Sequence, residues 1–417
     1  MNRITHNWAE HIAFAAAHTH FPRTVAELQD TVRTATRLRP IGARHSFNDI
    51  ADTPGGIVSL RALERRIEID TASRTVTVDA GITYAQLCPV LDRAGWALFN
   101  LGSIPDFTIV GAVATATHGS GNTNRNLAAS VAALEFVDAT GALVRLARGD
   151  ADFDGAVVGL GALGIVTTLT LDLVPRFEVR QNVYHGLDFE RVVGAFDALM
   201  GSAYSVSLFT HWNGVRVDQA WLKGLADAPP PPAEFFGGRA APAESSPVMG
   251  RDPAGTTGQL GVVGPWYDRL THARIGAIPE IGYEYQSEYF VARHHAGAAM
   301  RAIHAIETQL HPALVVAEIR TIAADDLWLS VNYGEDSVGF HFSWLRDWAA
   351  VQPALAALEA ALAPFAPRPH WGKLFLLPPE AFLPRYPRLA DFRALAQRHD
   401  PSGKFRNAFL DRNVFGA

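Results

Sequence analysis

The sequence predicts an α+β protein of two units, and three observations carry that reading. Capped amphipathic helices alternate with short period-two strands out to about residue 175. Beyond that point, longer alternating strands and apolar helices interleave as in one antiparallel sheet covered by helices on one face. Finally, 417 residues exceed what one hydrophobic core usually serves. The expected units are residues 1–175 and 176–374.

Bulk chemistry narrows the function classes. A hydrophobic fraction of 48% with 19% charged residues describes an ordinary globular chain with enough apolar mass for real cores. A net charge of −6 and a pI near 6.2 lack the basic footprint of a nucleic-acid partner. Cys88 is the single cysteine, so there is no internal disulfide, which suits a reducing compartment. Its expected role is small packing volume. Residues 1–20 lack the basic start and apolar run of a signal peptide. No stretch approaches ~20 uninterrupted apolar residues, so no membrane partner and a cytoplasmic location are expected.

In the first unit, Thr24-Val25-Ala26-Glu27 reads as a capping box, with Val25, Leu28, Val32 and Ala35 at helical spacing. The helix ends before Pro40, and Pro40-Ile41-Gly42-Ala43-Arg44-His45-Ser46-Phe47-Asn48 follows as a tight loop turned by Pro40 and Gly42. Successive N–H groups on such a loop can cradle a phosphate, and His45 at its tip carries a nucleophilic nitrogen. On the local pattern alone, a surface turn is the simpler account. Residues 57–60 form a short strand, and 66–70 with 74–79 alternate like a pair. Thr83-Tyr84-Ala85-Gln86 is a second capping box, opening a helix that buries Leu87, Val90 and Leu91 and closes at Gly95.

Residues 111–121, Gly-Ala-Val-Ala-Thr-Ala-Thr-His-Gly-Ser-Gly, are almost all small. Small side chains let a flat ligand approach the backbone, and hydroxyls add hydrogen bonds without bulk. A helix packed tightly on a neighbour would show the same composition, but the polar end Thr117-His118-Gly119 favours a ligand. No G-x-G-x-x-G lies between a strand and a helix, which disfavours a Rossmann nicotinamide site. Strands 134–138 and 142–146 follow. Gly159-Leu160-Gly161-Ala162-Leu163-Gly164-Ile165-Val166 then leads into a strand ending before Pro175.

In the second unit, strands at 177–183 and 204–209 flank a helix containing Val192, Val193, Phe196 and Leu199. Residues 224–264, rich in Pro, Gly, Ala and Ser, read as a long irregular excursion, a lid or subdomain crossing. Strand 286–291, helix 296–310, strands 314–322 and 337–344, and helix 352–362 complete the unit. Period two places Glu318 with Arg320 on one strand face, opposite Val315, Ala317 and Ile319. His341 and Ser343 share a face, as do Gln286 and Glu288. Each pair alone would suit a solvated sheet surface. With His370-Trp371-Gly372-Lys373 added, the set matches what a polyhydroxylated substrate needs.

The loop G-A-R-H-S-F-N, the segment ending T-H-G-S-G and G-A-L-G-I-V together resemble the FAD-binding domain of the vanillyl-alcohol-oxidase superfamily. The E-x-R strand, the H-x-S strand and the W-G-K turn resemble the alditol and sugar-lactone oxidases, the R-H-S-F loop and the H-F-S-W strand resemble the alditol side, and Asp400 to Asn407 is similar to the family's ending. The resemblance implies a two-domain flavoprotein whose segment 375–417 packs back on the FAD domain. It implies FAD held by Ile41, Gly42, Ala43, Arg44, His45, Ser46, Ser103, Thr108, Gly111, Thr115, Thr117, His118, Val166 and His370, with a covalent bond through His45.

By the same resemblance, Glu318, Arg320, His341, Ser343 and Lys373 line the substrate pocket, joined by Gln286 and Ser103. The implied reaction oxidises the terminal hydroxyl of a polyol such as xylitol or sorbitol. Hydride passes to flavin N5 and O2 is reduced to H2O2. Arg320 and Lys373 hold the reacting hydroxyl, Lys373 or His341 takes its proton, and Glu318 accepts from substrate hydroxyls or positions Arg320. No metal is expected, and the expected state is a monomer. Alternatives within the superfamily are a sugar-1,4-lactone oxidase and a flavin dehydrogenase. A flavoprotein that binds without turnover is the alternative outside enzymes. Gly102 stands where alditol oxidases often have alanine, a change that bears on oxygen access with its sign open.

Overall fold

The computed structural model describes residues 3–277 and 284–416. In the first unit a five-stranded antiparallel sheet runs in the order Ile67–Asp70, Thr75–Asp79, Ile165–Asp172, Val131–Val137, Leu143–Ala147. Beside it lies a three-stranded parallel sheet of His18–His20, Gly56–Ser59 and Leu38–Ile41. Helix Tyr84–Arg93 buries Leu87, Cys88 and Leu91, and Thr83 with Gln86 closes a reciprocal capping box. Gly95 follows at φ +83°, in the left-handed region that ends the helix.

Two local expectations need correction. Thr24 does cap helix Val25–Thr34, but Glu27 reaches the backbone N–H of Arg23 and not that of Thr24, so the box is incomplete. Pro40 does not turn the chain; it lies in strand Leu38–Ile41. That strand is at the edge of its sheet, where a missing N–H costs no ladder bond.

The second unit is one antiparallel sheet of ten strands. Its central order is Glu178–Asp188, Arg216–Leu225, Ser205–Thr210, Leu314–Ile322, Ser337–Leu345, Glu284–Ala292, Arg368–Pro369. Ala317, Ile319, Phe340, Phe342, Tyr289 and Val291 point to one face. Helices Phe189–Gly194, Phe196–Met200, Ala296–His304 and Trp348–Leu362 bury them there. The expected helix around Val192 is broken at Ala195, and the one from 296 is interrupted between His304 and Glu307.

Strand Arg216–Leu225 was not anticipated from the sequence. Its polar Gln219 and Lys223 are buried, which hides the period-two signal. The excursion adds short edge strands at Glu234–Phe235, Gly238–Ala240 and Val263–Pro265. Trp348–Phe365 is long and apolar enough to cross a membrane, but its Val351, Leu355, Leu358 and Leu362 are buried against this sheet.

The C-terminal segment returns to the first unit. Asn407 Nδ2 donates to the carbonyls of Asp49, Ile50 and Asp52, Lys404 caps the Ala139 carbonyl at 2.8 Å, and Phe405 is fully buried.

Candidate active site

The uncovered face of the large sheet looks across a cavity of about 800 Å³ toward the first unit. The loop 40–47, the segment 108–118 and the turn 159–166 wall one side. Glu318, Arg320, His341, Ser343, Gln286 and the turn His370–Lys373 wall the other. Every site residue expected from the sequence lines this one cavity: Ile41 to Ser46, Ser103, Thr108, Gly111, Thr115, Thr117, His118, Val166, His370 and the pocket set.

The loop is shaped by Arg44, whose φ of +68° is left-handed. Gly42 serves a different need. A methyl there would collide with Thr108 Oγ1, and Gly111 is pressed on the same hydroxyl. His45 stacks on Trp8 at 4.5 Å and meets the edge of Phe107 at 4.6 Å. Burial, helped by Arg44, pushes its pKa down to about 3, so its imidazole is neutral with a free lone pair. Phe47 N donates to the Gly372 carbonyl at 2.7 Å, and Asn48 Nδ2 donates to the carbonyls of Trp371 and Lys373 at 2.8 Å each. The loop is thereby strapped to the turn that carries Lys373.

On the sheet face, register sets the geometry. Glu318, His341 and Glu288 form one cross-strand row; Val316, Ser343 and Gln286 form the next. Arg320 lies one row the other way, opposite Gly339, where Glu288 Oε1 passes 3.4 Å from the position a Cβ would take. Glu288, which sequence reasoning placed on this face but not in the site, is its hub. Its carboxylate meets His118 Nε2 at 2.9 Å, Arg320 at 3.2 Å and Lys373 Nζ at 2.9 Å. Burial alone would raise its pKa; Lys373, His118 and Arg320 overcome that and hold it well below the carboxylate range. Arg320 also donates to Ser103 Oγ at 3.2 Å, joining the two walls.

Glu318 is ionised against burial in the same way, by Arg320 and by His272, whose Nε2 lies 2.7 Å away. Behind His272, the buried Lys223 Nζ, its pKa lowered by burial to about 7, donates to Nδ1 at 3.1 Å and to the Leu270 carbonyl at 2.6 Å. That fixes the histidine tautomer with its proton on Nε2, toward Glu318. Neither His272 nor Lys223 could be found from the sequence, because no period links them to residues 46 and 95 positions away. Burial lowers the pKa values of both His341 and Lys373. Beside Gly102, a methyl would meet Thr117 Cγ2 at 3.6 Å, an ordinary contact, so alanine would fit there.

Residues 16–147 match the FAD binding domain family, and residues 283–413 match the D-arabinono-1,4-lactone oxidase family. An alditol oxidase from Streptomyces sp. is 46% identical over 98% of this chain and 99% of its own. The chain belongs to the alditol oxidase family of FAD-dependent oxidoreductases. More distant from this alditol-oxidase-family enzyme are an L-gulono-1,4-lactone dehydrogenase of Mycobacterium tuberculosis and an L-gulonolactone oxidase of Bos taurus. The first is 28% identical over 100% of both chains, the second 27% identical over 97% of each. A cholesterol oxidase structure from B. sterolicum superposes with a TM-score of 0.80 at 14% identity, over 99% of this chain and 97% of that one. It shares the two-domain fold.

The residues present fit FAD. Among the described residues, Thr108 Oγ1 is buried without a partner at the cavity wall. Gly42 and Gly111 leave no side chain beside it, and the cavity has the size of a cofactor site.

Proposed function

We propose that the enzyme oxidises the terminal hydroxyl of acyclic polyols, xylitol and sorbitol among them, with O2 as acceptor and H2O2 as the reduced product. One observation carries this reading: polar side chains repeat along successive rows of the open sheet face, Glu318, His341 and Glu288, then Ser343 and Gln286. The rows are about 7 Å apart. That spacing suits an extended chain with a hydroxyl on every carbon better than a compact lactone ring. The charges balance too. Glu288 and Glu318 face Arg320 and Lys373, so an uncharged substrate leaves no buried charge unpaired.

Bound FAD supplies the two-electron acceptor for the hydride that leaves C1. Arg320 and Lys373 converge on Glu288 and offer donors to the alcohol oxygen as it becomes negative. The proton goes to His341. Among the described residues its side chain has no hydrogen-bond partner, and burial keeps the imidazole neutral, with a ring nitrogen available to take the proton. Lys373 is already engaged with Glu288, which favours a donor role for it. Glu318, held ionised by Arg320 and His272, accepts from a substrate hydroxyl.

The test is anaerobic addition of xylitol and, separately, of a γ-lactone to the yellow holoenzyme. Xylitol is expected to bleach the flavin with the lactone nearly inert; bleaching by the lactone alone would overturn the reading. His45 is the proposed covalent anchor, resting on its neutral, cavity-facing imidazole. His45→Ala is expected to release its flavin on acid precipitation while the wild-type pellet stays yellow. A yellow variant pellet would place the bond elsewhere.

A further inference from the structure

Glu284 begins the strand Glu284–Ala292, and nothing in the reaction above uses it. It is 5% exposed and lines the cavity. Oε1 accepts from Gln286 Nε2 at 2.5 Å and from Ser343 Oγ at 3.3 Å, so the carboxyl leans back over the second row. Among the described residues, Oε2 is buried with no partner. A buried carboxyl oxygen without a donor costs free energy, and its position on the cavity wall lets a ligand supply one. Two rows separate Glu284 from Glu288 along their strand, and Arg320 lies one row further still, so Glu284 is at the end of the face remote from Arg320.

Resting on the polyol reading, we infer that Glu284 is a distal subsite that accepts a hydrogen bond from the far-end hydroxyl of a long polyol and so selects chain length. A substrate whose C1 hydroxyl is at Arg320 and Lys373 reaches the second row only when extended over five or six carbons. Glycerol is too short to reach it. Burial raises the Glu284 pKa to about 7. Near neutrality the carboxyl can therefore accept from a hydroxyl or donate to one, which suits an alcohol group. A cationic ligand is disfavoured, because Lys373 and Arg251 already place positive charge near this carboxyl.

The experiment measures kcat/KM by oxygen uptake for glycerol, xylitol and sorbitol in wild type, Glu284→Ala and Glu284→Gln. Glu284→Ala is expected to lower the sorbitol-to-glycerol ratio about tenfold or more, the worth of one hydrogen bond to a carboxyl in a buried site. Glu284→Gln keeps the oxygen that Gln286 and Ser343 use and replaces only the free one. It is expected to lower the ratio about threefold, and it decides the matter should the alanine variant fail to hold flavin. A loss of the same factor on all three polyols, or no loss, overturns the subsite. Wild type inert toward every polyol would overturn the polyol reading itself, and the subsite with it, before any variant is compared.

Discussion

Lys373→Ala and Arg320→Ala are each expected to keep FAD bound and to slow its reduction by xylitol at least about a hundredfold. Both side chains belong to the sheet-side wall, and the loop 40–47 is tied to the backbone of residues 371–373 and not to these side chains, so flavin retention should survive their loss. What is lost is a fixed cation where the alcohol oxygen gains charge. Lys373 Nζ is held 2.9 Å from Glu288, and Arg320 is tied to Glu288 and Ser103 at 3.2 Å each. Because these partners pre-orient both groups, neither pays reorganisation at the moment of proton loss. Rapid-mixing absorbance under argon reads the effect directly. Reduction of either variant at the wild-type rate would remove that residue from the chemistry.

Glu288→Gln is expected to destabilise the protein by about 3–5 kcal/mol at pH 7, the cost of breaking a buried ion pair from one side. The amide is nearly isosteric, yet it leaves Arg320 and Lys373 buried without their shared anion. The sign of the pH dependence follows from the depressed Glu288 pKa. Stabilisation by the carboxylate is fully present above the unfolded-state carboxylate pKa and fades as pH falls toward the folded value. The gap between wild type and variant in denaturant midpoint should therefore be widest near neutrality and narrow in acid. Equal midpoints at pH 7 would show that the cations are satisfied elsewhere.

Same-face pairing was legible in the sequence because strand period needs no tertiary information. Glu318 with Arg320 and His341 with Ser343 lie on the open face, as alternation requires. The importance of Glu288 was not legible. Its three partners stand at 118, 320 and 373, and a carboxylate on an alternating strand looks the same whether it meets water or cations. Lys223 was hidden for a related reason: a lysine in a strand reads as an edge or solvent position, while here backbone carbonyls and His272 satisfy it in the interior. Gly42 was read as a turn residue when its role is close approach to Thr108, a contact made across more than sixty residues of chain.

Asn48 connects two binding events. Its amide joins the loop proposed to hold the cofactor to the backbone of the turn that aims Lys373. A loop held against FAD also holds that turn, so the polyol meets a lysine already in place. Cooperativity of this kind is reciprocal. Before the proposed His45 bond forms, whatever factor FAD adds to polyol affinity, polyol adds to FAD affinity.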